Sequence, residues 1–170
     1  ATSQLLKLVE LTDIPVSQTL LGLGGFPGTH PKSLGMMGMH GEAWVNQAIQ
    51  EADLLIALGM RFDDRVTGRL ATYAPKAKKI HVELDPAEID KNVKVDLPIV
   101  GDVRDVLNRL LPALTPQTRQ TWWDALDAMR GDSAVRDIVS LPDEGHLYAA
   151  HVIHDLYRFT GGDALVVSDV

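Results

Sequence analysis

The chain has 170 residues, 45% of them hydrophobic and 23% charged, with a net charge of −7 and no cysteine. Such a composition predicts a globular chain of one domain and part of another. It excludes disordered and fibrous classes, a disulfide scaffold and a Cys-based zinc site, and it fits a cytosolic protein. The acidic balance and the lack of any Lys/Arg run argue against a nucleic-acid groove or an anionic membrane surface as partner. No apolar stretch reaches the ~18 residues a membrane span needs, and the first residues lack the layout of a secretion signal.

Leu5, Leu6 and Val9 share one helical face, and Ile14 to Gln18 reads as a strand. Ala48, Ile49 and Ala52 lay an apolar stripe on a helix that starts near Glu42. Leu54 to Leu58 is an uncharged run closed by Gly59, the pattern of a parallel strand buried on both faces. Ile80 to Leu84 predicts the next strand and Leu97 to Val100 a short one. Asp102 can cap a helix in which Val103, Val106, Leu107, Leu110 and Leu111 keep the i, i+3, i+4, i+7 spacing, with Asp105 in the favourable first turn. Thr115-Pro116 breaks that helix, and Gln117 to Arg130 predicts another in which Trp122 and Trp123 pack.

A polar stretch containing Gly131, Pro142 and Asp143 reads as a linker, taken as residues 135–145. Beyond it Val152, Ile153 and Leu156 share a helical face, Gly161-Gly162 stops the helix, and Ala164 to Val167 predicts a strand. The alternation predicts an α/β fold, a parallel sheet with helices on both faces. Its parts are a domain over residues 1–134, the linker, and the first helix and strand of a second domain over 146–170. A βαβ domain normally carries its first ligand loop on its first strand, so a chain that opens on a helix is expected to be N-terminally truncated.

Ligands bind beyond the carboxyl ends of the strands in such a sheet. Gly59 to Gly68, Gly-Met-Arg-Phe-Asp-Asp-Arg-Val-Thr-Gly, falls at one such end. Arg61 and Arg65 can fork onto a phosphate or carboxylate, or can pair with Asp63 and Asp64 in a solvated loop. Gly38-Met39-His40-Gly41 is either a plain glycine-rich turn or, just before a helix, a set of amides suited to a phosphate. Glu83 and Asp85 end a strand where dinucleotide folds place an acid on a ribose hydroxyl, although Asp85, before Pro86, serves equally as a turn cap.

Gly22-Leu23-Gly24-Gly25 lacks the last glycine spacing of the NAD-type fingerprint and runs into Pro27-Gly28 instead of a helix, which argues against that motif. Met36, Met37, Met39 and Met60 read as core filler or as an adaptable pocket lining. His151 and His154 read as solvated or packed residues and not as a metal pair, and no metal site is predicted.

Five segments, in order, resemble the central, FAD-binding domain of the acetolactate synthase (acetohydroxyacid synthase) family of thiamine-diphosphate enzymes. They are Gly59 to Gly68 and, in chain order, Ile14-Pro15-Val16-Ser17-Gln18-Thr19-Leu20, Gly22 to Phe26, Pro31-Lys32-Ser33-Leu34 through Gly41, and Phe62 to Gly68 followed by Glu83 and Gly101-Asp102. The resemblance covers most of residues 12 to 102 and implies a Rossmann-like domain. By it, Thr19, Leu20, Met39, His40, Gly41, Gly59, Met60, Arg61, Asp63, Arg65, Val66, Glu83, Leu84 and Asp102 border an extended FAD, and Arg65 also approaches the channel of the second substrate. Met60, Glu42 and Trp44 stand where the family commonly has smaller residues.

The same resemblance implies the condensation of two pyruvates, or of pyruvate and 2-ketobutyrate, with loss of carbon dioxide, in branched-chain amino-acid biosynthesis. The FAD is structural because the reaction has no net redox step, and the chemistry belongs to thiamine diphosphate held by Mg2+. The implied partners are 2-keto acids, further copies of the chain in a dimer or tetramer, and a regulatory small subunit. The implied location is the cytoplasm in a bacterium, and a plastid or mitochondrion in a eukaryote.

The family's activating glutamate falls upstream of Ala1 and its Gly-Asp-Gly motif downstream of Val170. Gly101-Asp102, Gly131-Asp132 and Gly162-Asp163 all lack the third glycine. The 170 residues alone are therefore expected to be inactive, and, because the family's glycine-rich turn and its arginine on the FAD side also fall before Ala1, to bind flavin weakly or not at all. Two other readings compete: a stand-alone nucleotide-binding or regulatory module, and a glyoxylate carboligase or pyruvate oxidase of the same three-domain plan.

Overall fold

The computed structural model describes residues 1–130, 145 and 147–167. The chain divides into two compact units, Ala1–Gly131 and Asp132–Val170.

In the first unit, helix α1 (Thr2–Thr12) buries Leu8, Val9 and Thr12, so its inner face is centred later than the Leu5-Leu6-Val9 pattern suggested. It stops at Asp13, whose φ of 57° is left-handed and ends the helical path. Strand β1 (Val16–Gln18) starts after Pro15, which has no N–H to give a ladder, and is shorter than the expected Ile14 to Gln18. Strand β2 (Ser33–Met36) runs parallel to it. Sequence patterning gave no strand there, because four residues that include Gly35 carry no readable alternation.

Helix α2 (Ala43–Glu51) buries Trp44, Val45, Ala48 and Ile49, while Ala52 sits outside it as the C-cap. Strands β3 (Leu54–Leu58), β4 (Lys78–Glu83) and β5 (Leu97–Val100) form a parallel sheet in that order. β4 begins at Lys78 because Lys78 and Lys79 pair with Leu54 and Leu55. It ends before Leu84, whose amide donates to the Glu83 carboxylate at 2.8 Å.

Between β3 and β4 the expected loop contains one helical turn, α3 (Asp64–Thr67). Helix α4 (Val103–Leu110) starts where Asp102 accepts from the N–H groups of Arg104 and Asp105, as the sequence predicted. Pro112 then turns the chain into a 3-10 turn over Leu111–Ala113. Helix α5 (Gln120–Arg130) begins at Gln120 and not Gln117, because the preceding residues are tied to the end of α1. The Gln117 amide donates to the Leu11 carbonyl and the Arg119 amide to the Asp13 carboxylate.

Both faces of β4 are covered: neighbouring residues of a strand point to opposite sides, and His81 and Val82 are both buried. α4 packs on β4 and α1 on α4, while α2 packs on β2 and α5. The main core joins Met37, Trp44, Val45, Ile49, Ala57, Met60, Phe62 and Tyr73, so Met37 and Met60 serve as core filler. Trp123 meets its packing role through an N–H bond from its ring to the Asp13 carbonyl at 3.1 Å.

In the second unit, α6 (Ala149–Thr160) ends on Gly161 at φ 63°. Ala164 to Val167 is not a strand: Leu165 and Val167 are fully exposed and no ladder partner lies among the described residues. Strand composition alone does not order a segment whose N–H and C=O groups find no second strand. The linker expected at 135–145 lies outside the described residues except for Gly145. No helix among the described residues is long and apolar enough to cross a membrane.

Candidate functional site

The residues singled out in the sequence gather in the loops that leave the carboxyl ends of the parallel strands. Thr19 and Leu20 follow β1, Met39 to Gly41 follow β2, Gly59 to Val66 follow β3, Glu83 and Leu84 close β4, and Asp102 follows β5. This is the side on which open α/β sheets bind ligands.

Two of these loops are locked together across the two sheets. The Met39 amide donates to the Arg65 carbonyl at 2.8 Å. Gly38 makes the approach feasible: its φ is 97°, and a Cβ placed there would lie 2.7 Å from that same carbonyl oxygen. Gly41 is required for a different reason, since a Cβ there would lie 2.6 Å from the Met37 Cα. The Arg65 guanidinium is exposed, donates toward the Met39 sulfur at 3.5 Å and makes no ion pair among the described residues. Met39 and His40 are exposed, and Val66 is half-buried.

The β3 loop turns on two left-handed residues, Gly59 at φ 65° and Phe62 at φ 53°. Phe62 is buried against His81 at a ring separation of 4.9 Å and against Tyr73 at 6.0 Å, which anchors the loop on the sheet. Met60 is buried too, its carbonyl accepting from His81 Nε2 at 2.8 Å. Arg61, Asp64 and Arg65 of the loop are exposed. Arg61 and Asp63 form a long, exposed ion pair at 3.5 Å, which is the pairing the sequence left open for the arginines and which Arg65 does not share. The other Asp63 oxygen, Oδ1, is buried and has no partner.

The acidic and hydroxyl groups of the remaining loops hold their own backbones. Thr19 Oγ1 accepts from the Gly22 amide at 3.0 Å, shaping a 3-10 turn over Leu20–Gly22. Glu83 Oε1 accepts from the Leu84 and Asp85 amides. Asp85 accepts from the Ala87 amide at 2.9 Å, so it acts as the turn cap that sequence left as one of two roles. Leu20, Met39 and Leu84 are each more than half exposed at these strand ends. The exposed Arg65 guanidinium beside the exposed Met39 side chain suits a ligand that joins an anionic group to an apolar one.

Three residues with consequences for this site carried no motif. Asn46, on α2, bonds both polar backbone groups of Gly38. A cleft of about 300 Å3 opens between the Gly38-Met39 turn, α2 and α3, with Gln50 and Tyr73 in its wall. The Tyr73 hydroxyl is buried without a partner, and burial pushes its phenol up to about 12. His81 is fully buried in β4. The available signal was a polar residue beside the buried stripe of a helix or inside a strand, which does not by itself name a partner. Among the described residues no group of three His, Cys, Asp or Glu is placed to hold a metal ion.

A family model described as the central domain of thiamine pyrophosphate enzymes matches residues 1–110. A protein of Mycobacterium bovis named acetolactate synthase is 46% identical over 176 residues, covering 100% of this chain and 28% of the relative. A probable acetolactate synthase large subunit of Methanocaldococcus jannaschii is 51% identical over 129 residues, 74% of this chain and 22% of the relative. Acetolactate synthase 1, chloroplastic, of Zea mays is 41% identical over 173 residues, 98% of this chain and 27% of the relative. The chain thus spans under a third of the length of these curated relatives.

Proposed function

The chain belongs to the thiamine pyrophosphate enzyme family as its central domain, and on that premise we propose that it is the FAD-binding middle of an acetolactate synthase large subunit. The observation that carries the reading is the match along nearly the whole chain to proteins of that name from a bacterium and a plant. The full-length enzyme joins two pyruvates, or pyruvate and 2-ketobutyrate, into acetolactate or acetohydroxybutyrate and releases carbon dioxide. On this reading residues 1–134 are the central domain, 135–145 a linker and 146–170 the start of the domain that binds the diphosphate.

The strand-end loops fit FAD. The exposed Arg61 and Arg65 guanidinium groups offer charged donors to its diphosphate. Leu20, Met39 and Leu84 offer apolar contact to the flat rings, and Glu83 and Asp102 keep one oxygen each for sugar hydroxyls. Thr19, His40, Gly59, Met60 and Val66 complete the border. Arg65 holds the carboxylate of the second 2-keto acid, for which its forked donors are suited.

Thiamine diphosphate with Mg2+, when bound elsewhere in the full-length enzyme, supplies the decarboxylation and the carbon–carbon bond chemistry. The residues of this chain bind, orient and exclude water, and alone they are inactive. The proposed assembly is a homo-oligomer with a regulatory small subunit, in the cytoplasm of a bacterium or in a eukaryotic organelle. The visible spectrum of the full-length protein with bound FAD tests the reading. A flavin that stays oxidised on adding pyruvate supports the synthase, and one that bleaches moves the assignment to an oxidase.

A further inference from the structure

One carboxamide holds both polar groups of the Gly38 backbone. The Gly38 amide donates to Asn46 Oδ1 at 2.8 Å, and Asn46 Nδ2 donates to the Gly38 carbonyl at 2.9 Å. With both bonds made, the orientation of the side-chain amide is fixed, and so is the peptide on each side of Gly38. That peptide is the one packed on α3. Its next amide, of Met39, donates to the Arg65 carbonyl at 2.8 Å, and the Arg65 guanidinium lies 3.5 Å from the Met39 sulfur.

Asn46 is on α2, a rigid helix anchored in the core by Trp44, Val45, Ala48 and Ile49. The connection therefore runs from the core through Asn46 and Gly38 to Met39 and Arg65, the exposed side chains of the strand-end site. The Gly38 carbonyl also accepts from the Gly41 amide at 3.0 Å, whereas its amide is held by Asn46, so loss of the carboxamide frees the amide side of a residue poised at a φ of 97°.

We propose that Asn46 is a positioning residue: it fixes the Gly38-Met39 turn and, through it, the placement of the Arg65 guanidinium against the carboxylate of the second 2-keto acid. The role of Arg65 in this rests on the synthase reading. Asn46 touches neither substrate nor cofactor. Its effect appears where substrate is held, with little consequence for the fold as a whole.

A double-mutant cycle in the full-length enzyme, with FAD saturating, tests this. Asn46→Ala raises the pyruvate KM on the order of tenfold, the consequence of a misplaced binding group. In an Arg65→Ala background the same change leaves KM within about twofold, since the group that Asn46 places is gone. Asn46→Asp keeps the acceptor for the Gly38 amide and loses the donor to its carbonyl, so it shares the defect and serves where Asn46→Ala folds poorly. Gln47→Ala, on the exposed side of α2, leaves KM unchanged.

Equal KM effects of Asn46→Ala with and without Arg65 would overturn the proposal and leave the synthase reading intact. A pyruvate KM that Asn46→Ala does not move does the same. A wild-type enzyme that makes no acetolactate sinks the synthase reading and with it the stated role of Asn46.

Discussion

The amide of Met39 and the carbonyl of Arg65 meet at 2.8 Å, and this single backbone bond ties the loop after β2 to the helical turn after β3. The two loops belong to separate sheets, so the bond fixes their distance where neither ladder does. The absence of a Cβ at Gly38 permits it.

Gly38→Ala should therefore be among the most damaging substitutions of the first unit. The new methyl would lie 2.7 Å from the Arg65 carbonyl at a φ of 97°. A loss of about 2 kcal/mol or more is expected in urea unfolding, from left-handed strain and the steric conflict together. Gly24, with a φ of 88° and nothing within 4 Å, is the comparison. Gly24→Ala should cost about 1 kcal/mol from backbone strain alone.

Acid should weaken the junction of α1, the start of β2 and α5. The Lys32 ammonium, 2.7 Å from Asp13, and the Arg119 amide hold the Asp13 carboxyl below the usual carboxylate range. A lowered folded pKa stabilises above the unfolded value and is lost as pH falls through the folded one. Thermal melts should show Asp13→Asn less stable than the parent at pH 7. The gap should narrow below about pH 4, the ordinary range for aspartate.

Tyr73→Phe should be neutral or stabilising by up to about 1 kcal/mol, because the buried hydroxyl it removes has no partner. Burial raises the Tyr73 phenol to about 12, so the parent loses stability as pH rises from the unfolded value of ~10 toward 12. That alkaline loss should be smaller in the variant, read as midpoints of denaturant unfolding between pH 9 and pH 12.

His81→Ala should cost about 3 kcal/mol, measured by urea unfolding. It leaves a cavity beside Phe62 and strips the buried Met60 carbonyl of its 2.8 Å partner. Because Met60 and Phe62 carry the β3 loop, weaker flavin retention by the full-length protein should accompany the loss.

Strands with uniform apolar character were legible before any coordinates. Leu54 to Leu58 is β3 residue for residue, but it is not buried on both faces as expected: it lies at the edge of its three-stranded sheet, with Ala57 buried and Leu54 exposed, while Asp102 caps α4 as its spacing predicted. β2 was not legible, because Ser33, Leu34, Gly35 and Met36 order themselves only by pairing with β1. The segment Ala164 to Val167 is the converse, strand-like in composition with no partner among the described residues.

At the site, the place of Arg65 beyond a strand end was legible because the apolar run Leu54 to Leu58 precedes it, and Gly38 to Gly41 was legible only as a turn before a helix. Asn46 was not, since its partner is backbone eight residues away, and only the folded turn brings Gly38 to it.

Acetolactate formation from pyruvate by the full-length protein, with thiamine diphosphate and Mg2+ and with or without FAD, tests the central claim most directly. Product is expected only when FAD is present, with the flavin oxidised throughout. Absence of acetolactate under these conditions, or turnover that reduces the flavin, would contradict that claim.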